Sequence, residues 1–361
     1  MSNPRALLPI AIAAALALLP GVGEAKSARH SHGRTHEAPP AISADAVNQA
    51  AFSPSIKPDK PSPALVKAEI LLDRAAISPG QIDGRNGENA RKAIAAFQLS
   101  RGLEASGKLD EATWNALTQN SDQPAIVEYE IGQADVKGPF AKNIPRRLEQ
   151  KAGLHRLAYR SPLQLLSEKF HVDPKLLEQL NAGKRFEAAG TKILVPNVGE
   201  RATSGRVAKI EVDKSTRAVR ALGENGELVA FYPASIGSTE KPAPSGRFKV
   251  RRVVHDPTYH YDPKFRFKGV HARHKFTVAP GPNNPVGVVW IDLTKQSYGI
   301  HGTPDPERIG KTYSHGCIRL TNWDALDLAK RVRKGTPVDF VDEPSPAPPT
   351  NESPGEARGR E

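Results

Sequence analysis

The sequence predicts a multi-domain chain: a mainly-β carboxy-terminal domain preceded by a small three-helix domain and a small α+β domain. Three observations predict it. Apolar residues recur at helical spacing between Ala64 and Leu117, and again between Leu163 and Asn181. Strand-like alternation and a hairpin turn take over from Arg206 to Asp342. At 361 residues the chain has room for two or three folded units of roughly 100–200 residues each, plus linkers.

At the amino terminus, Arg5 is followed by an apolar run from Ala6 to Leu19, a Pro20-Gly21 break and the small residues Gly23 and Ala25. These are the parts of a removable export signal over residues 1–25. An uncleaved membrane anchor is the alternative, and the apolar run is shorter than the roughly 20 residues that span a bilayer. The mature chain is therefore expected outside the cytoplasm, in the periplasm or cell envelope. That setting removes nucleic acid as a partner, although 51 Lys and Arg against 39 Asp and Glu favour acidic partners in general. The single cysteine, Cys317, excludes an intramolecular disulfide framework and any multi-thiolate metal cluster. An odd cysteine in an exported protein is either a route to an intermolecular disulfide or a reactive thiol.

Residues 26–62 hold His30, His32 and His36 among many prolines, with little apolar periodicity, and read as a disordered linker. In the three-helix domain, 63–119, Leu65, Ala68, Leu72 and Ala75 share one helical face, and Ala90, Ile94 and Phe97 share another. A third short helix follows from Asp110 to Leu117. The turn Asp83-Gly84-Arg85-Asn86-Gly87 leads into the second helix. With Phe97-Gln98, Gly102-Leu103, Gly107 and Thr113-Trp114, these residues resemble the small peptidoglycan-binding domain. A helical spacer without a ligand is the alternative, because the same glycines and aromatics serve the fold alone.

A connector, 120–150, leads to a unit at 151–198. There Leu157-Ala158-Tyr159 reads as a short strand, and Ser161-Pro162 as a helix cap and first turn. Leu163, Leu166 and Phe170 line one helix, a second helix runs from Pro174 to about Asn181, and Lys192–Pro196 closes the unit as a strand. This order resembles the LysM fold, which implies binding of N-acetylglucosamine-containing glycans. The first strand lacks the usual Gly-Asp, so an interdomain packing role stands beside the glycan-binding one.

Over 205–342, Val207–Val212 alternates, Asn225-Gly226 supplies a hairpin turn, Leu228–Ala234 returns and Gly246–Val250 extends the sheet. Only Asp324–Val332 reads as helical. Trp290 and Trp323 read as core. Residues 343–361, rich in Pro, Ser and Glu, read as a disordered tail.

Two segments of this domain carry chemistry: Tyr298-Gly299-Ile300-His301-Gly302-Thr303 and Ser314-His315-Gly316-Cys317-Ile318-Arg319-Leu320. A free thiol, with a pKa near 8.5, is only a few per cent thiolate at neutral pH, and a nearby imidazole is the usual way to activate it. His315 is two residues from Cys317. His301 must reach it across a strand pair or loop, the commoner arrangement for a general base. Gly316 lets the chain approach a substrate, so the N–H groups of Gly316 and Cys317 can face a developing oxyanion. A zinc site from His301, His315 and Cys317 is the rival reading and lacks an obvious fourth ligand.

With Pro244–Phe248 and the Gly281–Gly287 loop, the full string resembles the L,D-transpeptidase (YkuD-type) catalytic domain. The resemblance implies Cys317 as nucleophile, His301 as general base held by the Gly302 carbonyl, and oxyanion stabilisation around His315 to Cys317. It also makes Ser314 and Asn284 candidate substrate contacts, and Arg319 either a substrate-carboxylate contact or a structural support of the loop. The implied reaction is attack on the third residue of a peptidoglycan tetrapeptide stem, usually meso-diaminopimelate, with loss of D-Ala and transfer to an acceptor amine such as a second stem or an envelope-protein lysine. No metal or organic cofactor is implied. Water as acceptor would make the chain an L,D-carboxypeptidase, and a decayed site would leave a non-catalytic wall-binding protein. Finally, His255, His260, His271 and His274 fall with Tyr259, Tyr261, Phe265 and Phe267 in a long segment that reads either as a lid over the stem or as ordinary loop packing.

Overall fold

The structure, a computed structural model, describes residues 42–54, 60–119, 121–199, 201, 206–237, 242–265, 270–312 and 316–342. The expected export signal and carboxy-terminal tail lie outside the described residues, as do Ser314 and His315. Among the described residues, no helix is long and apolar enough to cross a membrane.

The linker expected at 26–62 is not structureless throughout. Its residues 42–54 include helix α1 (Ala44–Asn48), and Ile42 and Val47 are buried in one core with Val66 and Ile70. Asn48 exchanges two hydrogen bonds with the backbone of Ile126, at 3.0 and 2.8 Å. Five helical residues with one buried valine carry too little periodicity to be read as an amphipathic helix. Next come α2 (Pro63–Arg74), α3 (Glu88–Ser100) and α4 (Glu111–Thr118). Ser62 caps α2 through Oγ, with Pro63 in the first turn, and Asp110 caps α4. The buried Glu69 carboxylate accepts from the backbone N–H groups of Asp83 and Gly84, at 3.0 and 2.7 Å, and so fixes the turn before α3.

The connector proves to be structured. It holds β1 (Ile126–Glu130), α5 (Gln133–Lys137) and α6 (Leu148–Lys151). These are followed by α7 (Pro162–Lys169), α8 (Pro174–Leu180) and β2 (Lys192–Pro196). The partner of β2 is β1, paired antiparallel from Ile126↔Pro196 to Glu130↔Lys192. Leu157–Tyr159 is therefore not the first strand. It lies along the 280–283 loop instead: Leu157 donates to the Pro280 carbonyl at 2.8 Å and accepts from Asn283 N at 2.9 Å. Leu166, Val172, Leu176, Leu177 and Ile193 share a core with Val66, Ile70 and Ile82, so the two amino-terminal units are fused through one apolar interior.

The carboxy-terminal unit comprises β3 (Lys209–Asp213), β4 (Ala218–Leu222), β5 (Leu228–Pro233), β6 (Ser235–Ile236), β7 (Gly246–His255), β8 (Tyr259–Tyr261), β9 (Phe276–Val278), β10 (Val289–Leu293), β11 (Gly299–His301), β12 (Ile318–Arg319), α9 (Asn322–Arg331) and β13 (Pro337–Val341). Nine of these strands form one sheet in the order β5-β4-β3-β13-β7-β10-β11-β12-β6, while β8 and β9 pair separately. The pairs β13–β3 and β11–β12 are parallel. At the β5 edge, Phe231 bonds to the backbone of Ala76 and Ser78, at 2.9 Å each, so the three-helix unit covers strand groups that would otherwise face water.

One buried ionic cluster ties all three units together. Arg201 pairs with Asp73 of α2 and, at 2.8 Å, with Asp324 of α9. Asp73 also accepts from His171 Nδ1 at 2.9 Å, and Asp324 from Ser78 Oγ at 3.0 Å. His171 stacks on Trp323, with ring centroids 5.2 Å apart and planes at 11°. Although burial works against the charged Asp73 carboxylate, Arg201 and His171 together hold it below the usual carboxylate range. Replacing one member strands the others without a counter-charge, and breaking a buried pair in this way costs roughly 3–5 kcal/mol. Arg201→Met is therefore expected to lower the urea midpoint by an amount matching that range. A loss below about 1 kcal/mol, the level of an exposed pair, would contradict a buried ionic lock.

Candidate active site

Strand β11 sits between β10 and β12, and its last residue is His301. Trp290 of β10 is its cross-strand partner, and the two rings stack with centroids 5.3 Å apart and planes at 16°. His301 is buried, and its Nδ1 lies 2.7 Å from the carbonyl oxygen of Gly302. Because a carbonyl only accepts, Nδ1 carries the proton and Nε2 presents a lone pair. Burial, aided by the positive charge of Arg319, lowers the imidazole pKa to about 3, with the Gly302 hydrogen bond opposing. His301 is therefore a neutral imidazole at physiological pH, with one nitrogen fixed and the other free to take a proton.

Cys317 enters β12, which runs parallel to β11 in the register Ile300↔Ile318 and His301↔Arg319. This pairing brings the segments that carry His301 and Cys317 to neighbouring positions at one end of the sheet. Gly316, just before the thiol, has φ +107°, a left-handed conformation that side chains rarely adopt. The thiol lies 3.8 Å from the carbonyl of Ser297, whose own φ of +65° is unusual for a residue with a side chain. Burial pushes the Cys317 thiol up, while a backbone hydrogen bond from Gly299 and the charge of Arg319 pull it back. The resting pair is thus a neutral thiol and a neutral imidazole. Nucleophilic attack then requires proton removal in the same step, the work of a general base.

Two residues that sequence reasoning did not single out complete the surroundings. Trp290, expected as plain core, is the surface against which the imidazole lies. Tyr259, expected only as one member of a lid-like segment, senses the site: burial first, then the negative charge of an ionised Cys317, raises its pKa to about 12. It belongs to the separate β8–β9 pair, anchored by the stack of Tyr261 on Phe276 at 4.7 Å. In the same segment His255, His271 and His274 are exposed, and His260 bonds to Thr258 and Thr277 at 3.0 and 2.9 Å. A lone tyrosine in a long loop carries no sequence signal for such a placement.

Asn284 requires correction as a substrate contact. It is fully buried, donates to the Ala279 carbonyl at 2.8 Å and accepts from Val286 N at 2.9 Å, so its side chain holds the loop from within. Arg319 is brought beside Cys317 and Tyr259, and burial lowers its own pKa. Among the described residues no group of three His, Cys, Asp or Glu side chains comes together to hold a metal.

Residues 208–340 match the family model described as "L,D-transpeptidase catalytic domain". Residues 61–117 match the one described as "Putative peptidoglycan binding domain". Over 181 residues the chain is 32% identical to "Putative L,D-transpeptidase YkuD" of Bacillus licheniformis, covering 50% of this chain and 93% of that protein. The Bacillus subtilis protein of the same name is 28% identical over 177 residues, covering 49% of this chain and 91% of the other. The solved structure "L,D-transpeptidase from Mycobacterium smegmatis" is 20% identical, covers 44% of this chain and 76% of its own, and superposes with a TM-score of 0.31.

The alkylation rate of Cys317 by iodoacetamide is expected to be low at neutral pH and to climb only at pH above the ordinary thiol range, because burial disfavours the thiolate. Arg319→Met removes a charge that favours the thiolate, so the profile moves to higher pH. A plateau already present at pH 6, as for a thiolate–imidazolium pair, would contradict the neutral resting state.

Proposed function

The chain belongs to the L,D-transpeptidase family, and on that premise we propose that it transfers the acyl group of a peptidoglycan tetrapeptide stem from the terminal D-Ala to an acceptor amine. The observation that supports this reading is the β11–β12 register, in which the strand ending at a neutral, carbonyl-anchored His301 runs beside the strand that Cys317 leads into. In the first half-reaction the sulfur bonds to the carbonyl carbon of the third stem residue while His301 Nε2 takes the thiol proton. The bond to D-Ala nitrogen then breaks, and the same proton passes to the departing amine. A thioester remains. In the second half-reaction an amine attacks it, His301 accepts the amine proton and returns it to the leaving sulfur. The N–H groups around Gly316 and Cys317 are assigned to the oxyanion, and Arg319 to a stem carboxylate.

The matched peptidoglycan-binding domain supports the wall as partner, and action on the wall supports a working location outside the cytoplasm. The acceptor is proposed to be a second stem or an envelope-protein lysine. For the unit before the catalytic domain, the succession of β1, α7, α8 and β2, interrupted by α5 and α6, supports a LysM-like module that adds glycan contacts. Holding these units beside the catalytic domain raises the local concentration of stems without adding reacting groups.

The test is mass spectrometry of disaccharide-tetrapeptide muropeptides incubated with the mature protein and with Cys317→Ala. Cysteine-dependent dimers with loss of D-Ala are expected, with at least a thousandfold loss of turnover in the variant, on the order seen when a catalytic nucleophile is removed. Wall binding by Cys317→Ala is expected to persist. Tripeptide as the sole product would instead establish water as acceptor, and unchanged substrate with folded protein would favour a non-catalytic wall binder.

A further inference from the structure

Behind the His301–Gly302 peptide lies a second layer of contacts that begins outside the catalytic family match. Asn322, the first residue of α9, is buried. Its carboxamide oxygen accepts from Val288 N at 3.3 Å and fills a slot between two glycines: a Cβ added to Gly302 would lie 2.3 Å from that oxygen, and one added to Gly287 2.1 Å. Its amide nitrogen donates to the Pro282 carbonyl at 3.1 Å and to Glu168 Oε2 at 2.9 Å. Glu168 belongs to α7 and is itself 7% exposed.

The two ends of a carboxamide are nearly equal in shape, so its orientation is set by what each end meets. Reversed, Asn322 would turn its oxygen toward two acceptors and its NH₂ toward the Val288 N–H. Glu168 and Pro282 exclude that state. With the orientation fixed, the oxygen stays packed on Gly302, the residue whose carbonyl holds His301 Nδ1.

We infer that Glu168 is a positioning residue for His301: by accepting from Asn322 it fixes the amide that packs on Gly302, and through it the carbonyl that orients the catalytic imidazole. A carboxyl is an expensive choice for this buried place, since an apolar side chain would pack there without loss of hydration. Burial raises the Glu168 pKa to about 7, with the hydrogen bond from Asn322 opposing. The carboxylate can only accept, while a protonated carboxyl can also donate to a reversed amide, so Glu168 orients Asn322 most strongly when ionised, and the Pro282 carbonyl favours the same orientation in either state.

The inference rests on His301 acting as the base, and the test keeps the two claims apart. Glu168→Met and Glu168→Ala both remove the acceptor but differ in volume, while Glu168→Gln keeps one. Leu166→Ala, in the buried core of the same helix, destabilises α7 without touching Asn322. Muropeptide turnover is measured per folded molecule, and the imidazole nitrogens of His301 are followed by ¹⁵N NMR. The expected result is a fall of about tenfold in kcat for the Met and Ala variants with KM unchanged, the scale on which a misoriented catalytic group acts. Glu168→Gln recovers most of it, and Leu166→Ala keeps wild-type kcat despite a lower Tm. In the Met and Ala variants the single Nδ1–H tautomer of His301 gives way to a mixture. Equal kcat in all variants, an equal fall in Leu166→Ala, or no rescue by Gln would overturn the inference. If the wild-type protein turns over no stem, the proposed function fails, and the His301 spectra alone decide the positioning role.

Discussion

The site depends on one hydrogen bond made in a dry place, that from His301 Nδ1 to the carbonyl of Gly302. Buried among strands, an imidazole resists the charged state, and the carbonyl leaves Nε2 as its basic nitrogen. A carboxylate partner would have favoured the imidazolium; a carbonyl supplies orientation with much less of that bias. The neighbouring features follow from protecting this bond. Trp290 covers the ring, Asn322 packs on Gly302, and the β11–β12 pairing carries Cys317 to the same end of the sheet.

These supports come from more than one unit of the chain, which gives the ionic cluster around Arg201 its meaning. Arg201 joins α2 to α9, and Asn322 and Asp324 lie on the same first turn of α9. The helix that backs the His301–Gly302 peptide is therefore held by the amino-terminal units. The three-helix unit also reaches the loop that leads toward Cys317, where Asn89 donates to the Ile309 carbonyl at 2.9 Å. Buried charges of this kind are costly to desolvate, and they specify a single docked arrangement because any other leaves a carboxylate unpaired.

Much of this was legible in the sequence because it rests on local signals. The three helices announced themselves by apolar spacing, and the β4–β5 hairpin by Asn225-Gly226. His301, Gly316 and Cys317 stood out as candidates because a lone thiol in a glycine-flanked string near histidines has few structural uses, whereas Gly302 and Arg319 drew attention only through the resemblance to the L,D-transpeptidase domain. What was not legible was non-local. β1 looked like connector because its partner, β2, is distant in the chain, and α1 because it buries so few residues. Trp290 read as core since a tryptophan in a strand pattern gives no hint of what lies across from it. Asn284 illustrates the opposite error: a loop asparagine can serve a ligand or its own backbone equally well, and only burial shows that here it serves the backbone.

Whether the His301 imidazole is neutral, buried and anchored by a carbonyl is read by its pH titration, followed by ¹⁵N NMR on the wild-type protein. One unchanging signature, Nδ1 protonated and Nε2 bare, is expected from pH 8 down to about pH 4, because burial lowers the imidazole pKa to about 3. A protonation midpoint near the ordinary histidine value of about 6.5 would show an imidazole in contact with water or paired with the thiolate, and would contradict it.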